Sequence, residues 1–95
     1  MKSRSLYVPN YLANDLKKLH PTIKKKIRAA LDEILDEPYS GKALKDELAG
    51  LYSYRVARYR IIYKVINKKI HLITVGPRKN IYIETFSLIK KEKKQ

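Results

Sequence analysis

Residues 52–65 read YSYRVARYRIIYKV, and their alternation decides the fold. Tyr52, Tyr54 and Val56 alternate with Ser53 and Arg55; Tyr59, Ile61, Tyr63 and Val65 alternate with Arg58, Arg60, Ile62 and Lys64. A period of two marks strands with one buried face, and two such runs in succession read as a hairpin. If the chain turns at Ala57 and Arg58, Val56 lies opposite Tyr59, Tyr54 opposite Ile61 and Tyr52 opposite Tyr63. That face is wholly apolar or aromatic. A slip by one residue would mix the faces, so the pattern supports its own register. The same register sets Arg55 opposite Arg60 and Ser53 opposite Ile62. Ala-Arg is poor chemistry for a two-residue turn, which prefers Asn-Gly or Asp-Gly. A longer or bulged turn is the alternative, and it too leaves both arginines on one side.

The rest of the fold follows outward from this hairpin. NKK at 67–69 is the next turn, and residues 70–75 form a third strand ended by Gly76 and Pro77. Upstream, SRSLYV at 3–8 reads as an edge strand. Pro9 suits the first turn of a helix, and Leu12, Leu16 and Leu19 give it one apolar face ending near His20. Pro21 opens a second helix with the stripe Ile23, Ile27, Ala30, Leu31, Ile34 and Leu35, which Pro38 stops. So short a connection predicts an antiparallel helical hairpin. Residues 42–50, KALKDELAG, read as a connecting turn of helix or an ordered loop, and residues 80–91 as a short closing helix. The last six residues, KKEKKQ, read as a frayed basic tail. The expectation is an α+β fold: a helical hairpin on a small antiparallel sheet, made of a three-strand meander plus an N-terminal edge strand. Ninety-five residues make one domain, 1–95.

Composition narrows what such a domain meets. Twenty-two Lys and Arg against nine Asp and Glu leave a net charge of +13, a field that attracts polyanions, nucleic acid foremost. Its distribution is lopsided. No acid occurs between Leu48 and Ile83, where eight basic residues and five of the eight tyrosines fall. Opposed arginines cost stability, so they persist where a ligand neutralises them. A face bearing Arg55, Arg60 and Lys64 suits phosphate, which arginine grips through two parallel hydrogen bonds. The bland alternative is a basic face screened by salt alone. The absence of cysteine excludes disulfides and thiolate metal sites and fits a reducing compartment. No apolar run approaches membrane or signal-peptide length, so a soluble cytoplasmic protein with no membrane partner is expected.

Two amphipathic helices followed by GKALKDELAGLYSYRVARYRIIYKV and then ITVGPRKNIY resemble the RelE/ParE superfamily of bacterial toxins from type II toxin–antitoxin pairs. The resemblance runs from about Tyr7 to Tyr82. It implies the same α+β fold and a cognate antitoxin, at least partly acidic. The RelE branch cleaves messenger RNA in the ribosomal decoding site; the ParE branch keeps the fold and poisons DNA gyrase. Carried over by position, Arg60 matches the strand arginine at the scissile phosphate, and Arg55 a basic position of the preceding strand. Arg78 matches the arginine after the last strand, and Tyr82 a tyrosine that stacks on a base or assists proton transfer. Ser53 stands where some members carry lysine and Pro77 where many carry histidine, which leaves the general acid and base open.

Chemically, cleavage needs the RNA's own 2′-hydroxyl to attack the adjacent phosphate in line. Residues 48–83 offer no carboxylate or metal-ligand cluster, so neither metal nor cofactor is expected. Arg55, Arg60 and Arg78 are expected to hold the developing charge and Tyr82 to move a proton or stack; its alternative is a packed aromatic capping the sheet. Ser53, Arg58, Lys64 and Lys79 are expected to contact RNA. His71 is a weaker candidate for proton transfer, and His20, in the turn between helices, is read as structural. The favoured expectation is a ribosome-dependent mRNA endoribonuclease toxin. A ParE-like inhibitor of gyrase and a plain basic RNA-binding module are the alternatives.

Overall fold

The computed structural model describes residues 5–77 and 81–93. The chain builds β1 (Ser5–Tyr7), α1 (Asn10–Lys17), α2 (Pro21–Asp36), β2 (Lys42–Ala43), a 3₁₀ turn (Asp46–Leu48), β3 (Leu51–Val56), β4 (Tyr59–Ile66), β5 (Lys69–Pro77) and α3 (Ile81–Lys93). The strands form one sheet in the order β1-β5-β4-β3-β2.

The central hairpin has the register that its alternation demands. Val56 pairs with Tyr59, Tyr54 with Ile61, Tyr52 with Tyr63, Ser53 with Ile62 and Arg55 with Arg60. The turn is the tight two-residue one, despite its unfavourable sequence. Ala57 accommodates it at a φ of 53°, a left-handed conformation that costs an L-residue roughly 1–2 kcal/mol. The apolar face of the hairpin takes the two N-terminal helices. Leu12, Ile27, Ala30 and Ile34 pack with Val56, Ile61, Tyr63, Ile70 and Leu72 in one cluster. His20 ends the linker between the helices by capping α2, its Nδ1 accepting the Thr22 N–H at 3.2 Å.

The sheet is mixed and five-stranded, where four antiparallel strands are expected from the sequence. β1 runs parallel to β5, pairing Leu6 with Ile70 and Tyr7 with His71; three residues carry no signal for strand direction. On the far edge, β2 adds a strand inside the segment expected to be helix or loop. Lys42 pairs with Ser53 and Ala43 with Tyr52. β5 continues through Gly76 and Pro77, which an edge position beyond β1 permits.

The largest departure concerns the second face. One extra residue on β5, between the pairs Ile62–Thr74 and Tyr63–Leu72, makes a bulge. Ile73 thereby joins Leu51, Ile62 and Ile81 in a second apolar cluster, with Tyr82, Leu88 and Ile89 of α3 packed against it. The sheet is thus covered on both sides, and Ile61, Ile62 and Tyr63 of β4 have no exposed surface. α3 also runs on to Lys93, into the segment expected to fray; lysine and glutamate are good helix formers and prolong a helix anchored at Leu88 and Ile89.

One buried hydroxyl ties the edge strand to this core. Tyr63 Oη donates to the Pro38 carbonyl at 2.7 Å and accepts the Gly41 N–H at 3.2 Å. Burial pushes the phenol's pKa up, so it remains a donor. Gly41 is required at this approach, because a Cβ there would meet Tyr63 Oη at 2.7 Å and the Ser53 carbonyl oxygen at 3.0 Å.

Two outcomes follow for stability. Gly41→Ala should lose roughly 2–4 kcal/mol, from overpacking and from a broken buried hydrogen bond, read as a melting temperature lowered by about 10 °C or more. An unchanged melting temperature would show that the loop yields freely. Arg55→Thr removes a cross-strand repulsion, so thermal unfolding should show equal or slightly higher stability; a large drop would make the arginine structural.

Candidate active site

The face beneath α3 is organised in rows by the strand register. Arg55, Arg60 and Gly76 form one row across β3, β4 and β5, and Lys42, Ser53, Ile62 and Thr74 form the next. Leu51, Lys64 and His71 form the third. Successive rows on one face lie two residues apart along a strand, about 7 Å. This array brings together Ser53, Arg55, Arg60 and Lys64.

Each member of the array has a distinct environment. Arg55 is exposed at the end of β3, its Nε donating to the Ala57 carbonyl at 3.4 Å. Arg60 is half-buried, and its Nε is fully buried without a hydrogen-bond partner among the described residues. Leaving such a donor unsatisfied costs about 1–3 kcal/mol. Gly76 opposite Arg60 presents no side chain to it. A guanidinium set beside a second one suits an oxyanion, because a bidentate acceptor offsets the repulsion between them.

Tyr82 enters from above. α3 starts at Ile81, which is fully buried, and this anchor turns the half-buried Tyr82 so that its hydroxyl meets Ser53 Oγ at 3.5 Å. Ser53 is itself only 1% exposed. The two hydroxyls form a neutral pair one row from the arginines. Tyr82 also packs against the second apolar cluster, so its capping and polar functions coexist.

The remaining expectations fall in different places. Arg58 is exposed in the hairpin turn, at the end of the array. Lys64 is half-buried opposite His71, whose ring lies 5.4 Å from that of Tyr7, at the β1 side of the sheet. His71 is thus two rows from the arginines. Arg78 and Lys79 lie outside the described residues. Lys42 is the member of the array that sequence reading misses. A two-residue strand with both residues exposed leaves no alternation to detect, and only its neighbour Gly41, needed for close approach to Tyr63, hints at ordered pairing.

One carboxylate lies across the sheet, on the side of α1 and α2, and another, Asp46, borders the cleft shared by Lys42 and Tyr82. Glu33 of α2 accepts the Tyr54 hydroxyl, and this hydrogen bond raises the phenol's pKa. Among the described residues no group of three or more His, Cys, Asp or Glu is placed to hold a metal ion, and no helix is long and apolar enough to cross a membrane. The array therefore offers charge stabilisation by guanidinium and ammonium groups, with hydroxyls for proton traffic.

Known proteins share this architecture. The RelBE2 toxin–antitoxin complex of Mycobacterium tuberculosis contains a chain 29% identical over 79% of this chain and 98% of its own, with a TM-score of 0.70. A doubly substituted toxin RelE of E. coli, in the free state, is 22% identical over 94% of this chain and 96% of its own, with a TM-score of 0.76. The YoeB–YefM complex of Staphylococcus aureus contains a chain 23% identical, covering 77% of this chain and 94% of its own at a TM-score of 0.62. No curated protein sequence matches significantly. The family model for the ParE-like toxin of type II bacterial toxin–antitoxin systems matches residues 6–85. With residues 6–85 inside that match, and the fold shared with RelE, the chain belongs to the ParE-like toxin family and is the toxin of a toxin–antitoxin pair.

Proposed function

We propose that this toxin is a metal-independent endoribonuclease that cuts messenger RNA on the ribosome and so stops translation in the cytoplasm. The observation that carries the reading is Arg60: its buried Nε has no hydrogen-bond partner among the described residues, it is opposed to Arg55 on strands that carry no acid, and it lies one row from the Tyr82–Ser53 hydroxyls. A toxin acting only by surface contact has no use for an unsatisfied guanidinium held at this cost.

In the reaction, the 2′-oxygen–phosphorus bond forms as the phosphorus–5′-oxygen bond breaks. The products are a 2′,3′-cyclic phosphate and a 5′-hydroxyl. A base takes the 2′-hydroxyl proton and an acid supplies one to the 5′-oxygen. Arg55 and Arg60 hold the charge that develops on the non-bridging oxygens, each such donor contributing roughly 2–4 kcal/mol to the transition state. Arg78 is assigned the same task from the family pattern. Tyr82, with Ser53 beside it, exchanges a proton with the reacting oxygens or stacks on the neighbouring base. Arg58, Lys64 and Lys79 extend the basic track along the RNA backbone.

A cognate antitoxin neutralises the toxin in the cell, as the antitoxin complexes among the structural neighbours support. With +13 on the toxin, the antitoxin segment is acidic at least in part. The description of the matching family as ParE-like favours a second reading, a non-nuclease toxin that inhibits DNA gyrase.

Translation in a purified system, with primer extension on the message, separates these readings. New 5′ ends that depend on ribosomes are expected, and Arg55→Thr should diminish them while leaving the protein folded. Inhibition of supercoiling without cleavage would establish the second reading. Salt-sensitive RNA binding alone would reduce the protein to a binding module.

A further inference from the structure

Lys42 occupies a position that no sequence pattern assigns. It sits on the short strand β2, directly opposite Ser53, and thus on the α3 side of the sheet. Opposed residues of an antiparallel pair have Cβ atoms about 5 Å apart. Ser53 in turn receives the Tyr82 hydroxyl at 3.5 Å. Lys42 and Tyr82 line one cleft of about 310 Å³, walled by Leu44 and Leu48, with Lys45 and Asp46 at it. Lys42 is exposed at this cleft, within reach of its apolar wall and of the hydroxyl pair.

We infer that Lys42 is a catalytic residue of the toxin, whose ammonium group contacts the RNA phosphate held between the Tyr82–Ser53 hydroxyls and the arginine row. The inference rests on the endoribonuclease reading and adds to it a residue contributed from outside the central hairpin. The physical need is plain. The arginine row lies about 7 Å from the row of Ser53, so guanidinium groups meet a phosphate over Ser53 from one side only. An ammonium across the strand pair balances that charge. It transfers no proton in the step; it stabilises the five-coordinate phosphorane through a charge-assisted hydrogen bond. An edge lysine can also serve merely to deter strand addition. Such a lysine has no need to share a cleft with Tyr82.

The test uses single-turnover cleavage of messenger RNA on programmed ribosomes at saturating toxin, with ribosome affinity measured alongside. Lys42→Ala should slow cleavage roughly 10- to 100-fold with affinity nearly unchanged. Lys42→Arg should stay within a few-fold of wild type, and added ethylammonium should restore part of the Lys42→Ala rate, which a folding defect would not allow. Lys18→Ala, an exposed charge at the end of α1, should cleave normally. Wild-type cleavage by Lys42→Ala, a loss confined to affinity, or an equal loss in Lys18→Ala would overturn the assignment. If the unmodified toxin cleaves nothing, the endoribonuclease reading itself falls, and the role of Lys42 with it.

Discussion

The register of the β3–β4 hairpin is the constraint on which the rest of the structure depends. Pairing Val56 with Tyr59 aligns the apolar residues of both strands on the side that receives α1 and α2. The same pairing forces Arg55 and Arg60 together on the opposite side, at an electrostatic cost. A shift by one residue would turn the tyrosines and Ile61 away from α1 and α2, and burying such side chains stabilises by roughly 1.5–3 kcal/mol each. The fold can tolerate the arginine pair because the hydrophobic term is larger. It retains the pair, on the present account, because the ligand is a phosphate.

From β4 the organisation spreads to both edges. The Tyr63 hydroxyl holds the loop from Pro38 to Gly41, and the loop delivers β2 against β3. The β5 bulge turns Ile73 toward Ile62 and creates the apolar strip on which α3 rests. Helix α3 then carries Tyr82 to Ser53. The polar array is assembled from four separate elements, β3, β4 and α3 held by apolar contacts outside it and β2 by the hydrogen bonds of Tyr63 and its pairing with β3. Such construction suits a site whose charged groups contribute nothing to folding.

Much of this was legible in the residues, and the parts that were not have physical reasons. Prolines at 9, 21 and 38 and the leucine and isoleucine stripes delimit α1 and α2. Alternation locates β3 and β4 and their register, because apolar residues then face one another across the pair and Arg55 faces Arg60. β2 is invisible because neither Lys42 nor Ala43 is buried. The parallel direction of β1 depends on where the chain re-enters the sheet, which local pattern does not encode. The cover provided by α3 is not legible because Ile62 stands alone as an apolar residue beside Ser53, Arg55, Arg60 and Lys64; its neighbour Ile73 reaches that face only through the bulge. Of the site, Ser53, Arg55, Arg60, Lys64 and Tyr82 could be named in advance and do share one face, whereas Lys42 could not. Family membership was legible too, in the order of its motifs, but RelE-like and ParE-like toxins share this fold, and the target is decided by the site.

The central claim is that Arg60 holds the scissile phosphate, and its substitution tests that claim most directly. Lysine at this position keeps the charge and loses the two-pronged geometry. In single-turnover cleavage on programmed ribosomes, Arg60→Lys should keep ribosome association and lose much of the rate. Arg60→Ala should lose more, roughly 30- to 1000-fold, corresponding to about 2–4 kcal/mol of barrier. Cleavage by both variants at the wild-type rate would contradict the account and turn attention to a target other than messenger RNA.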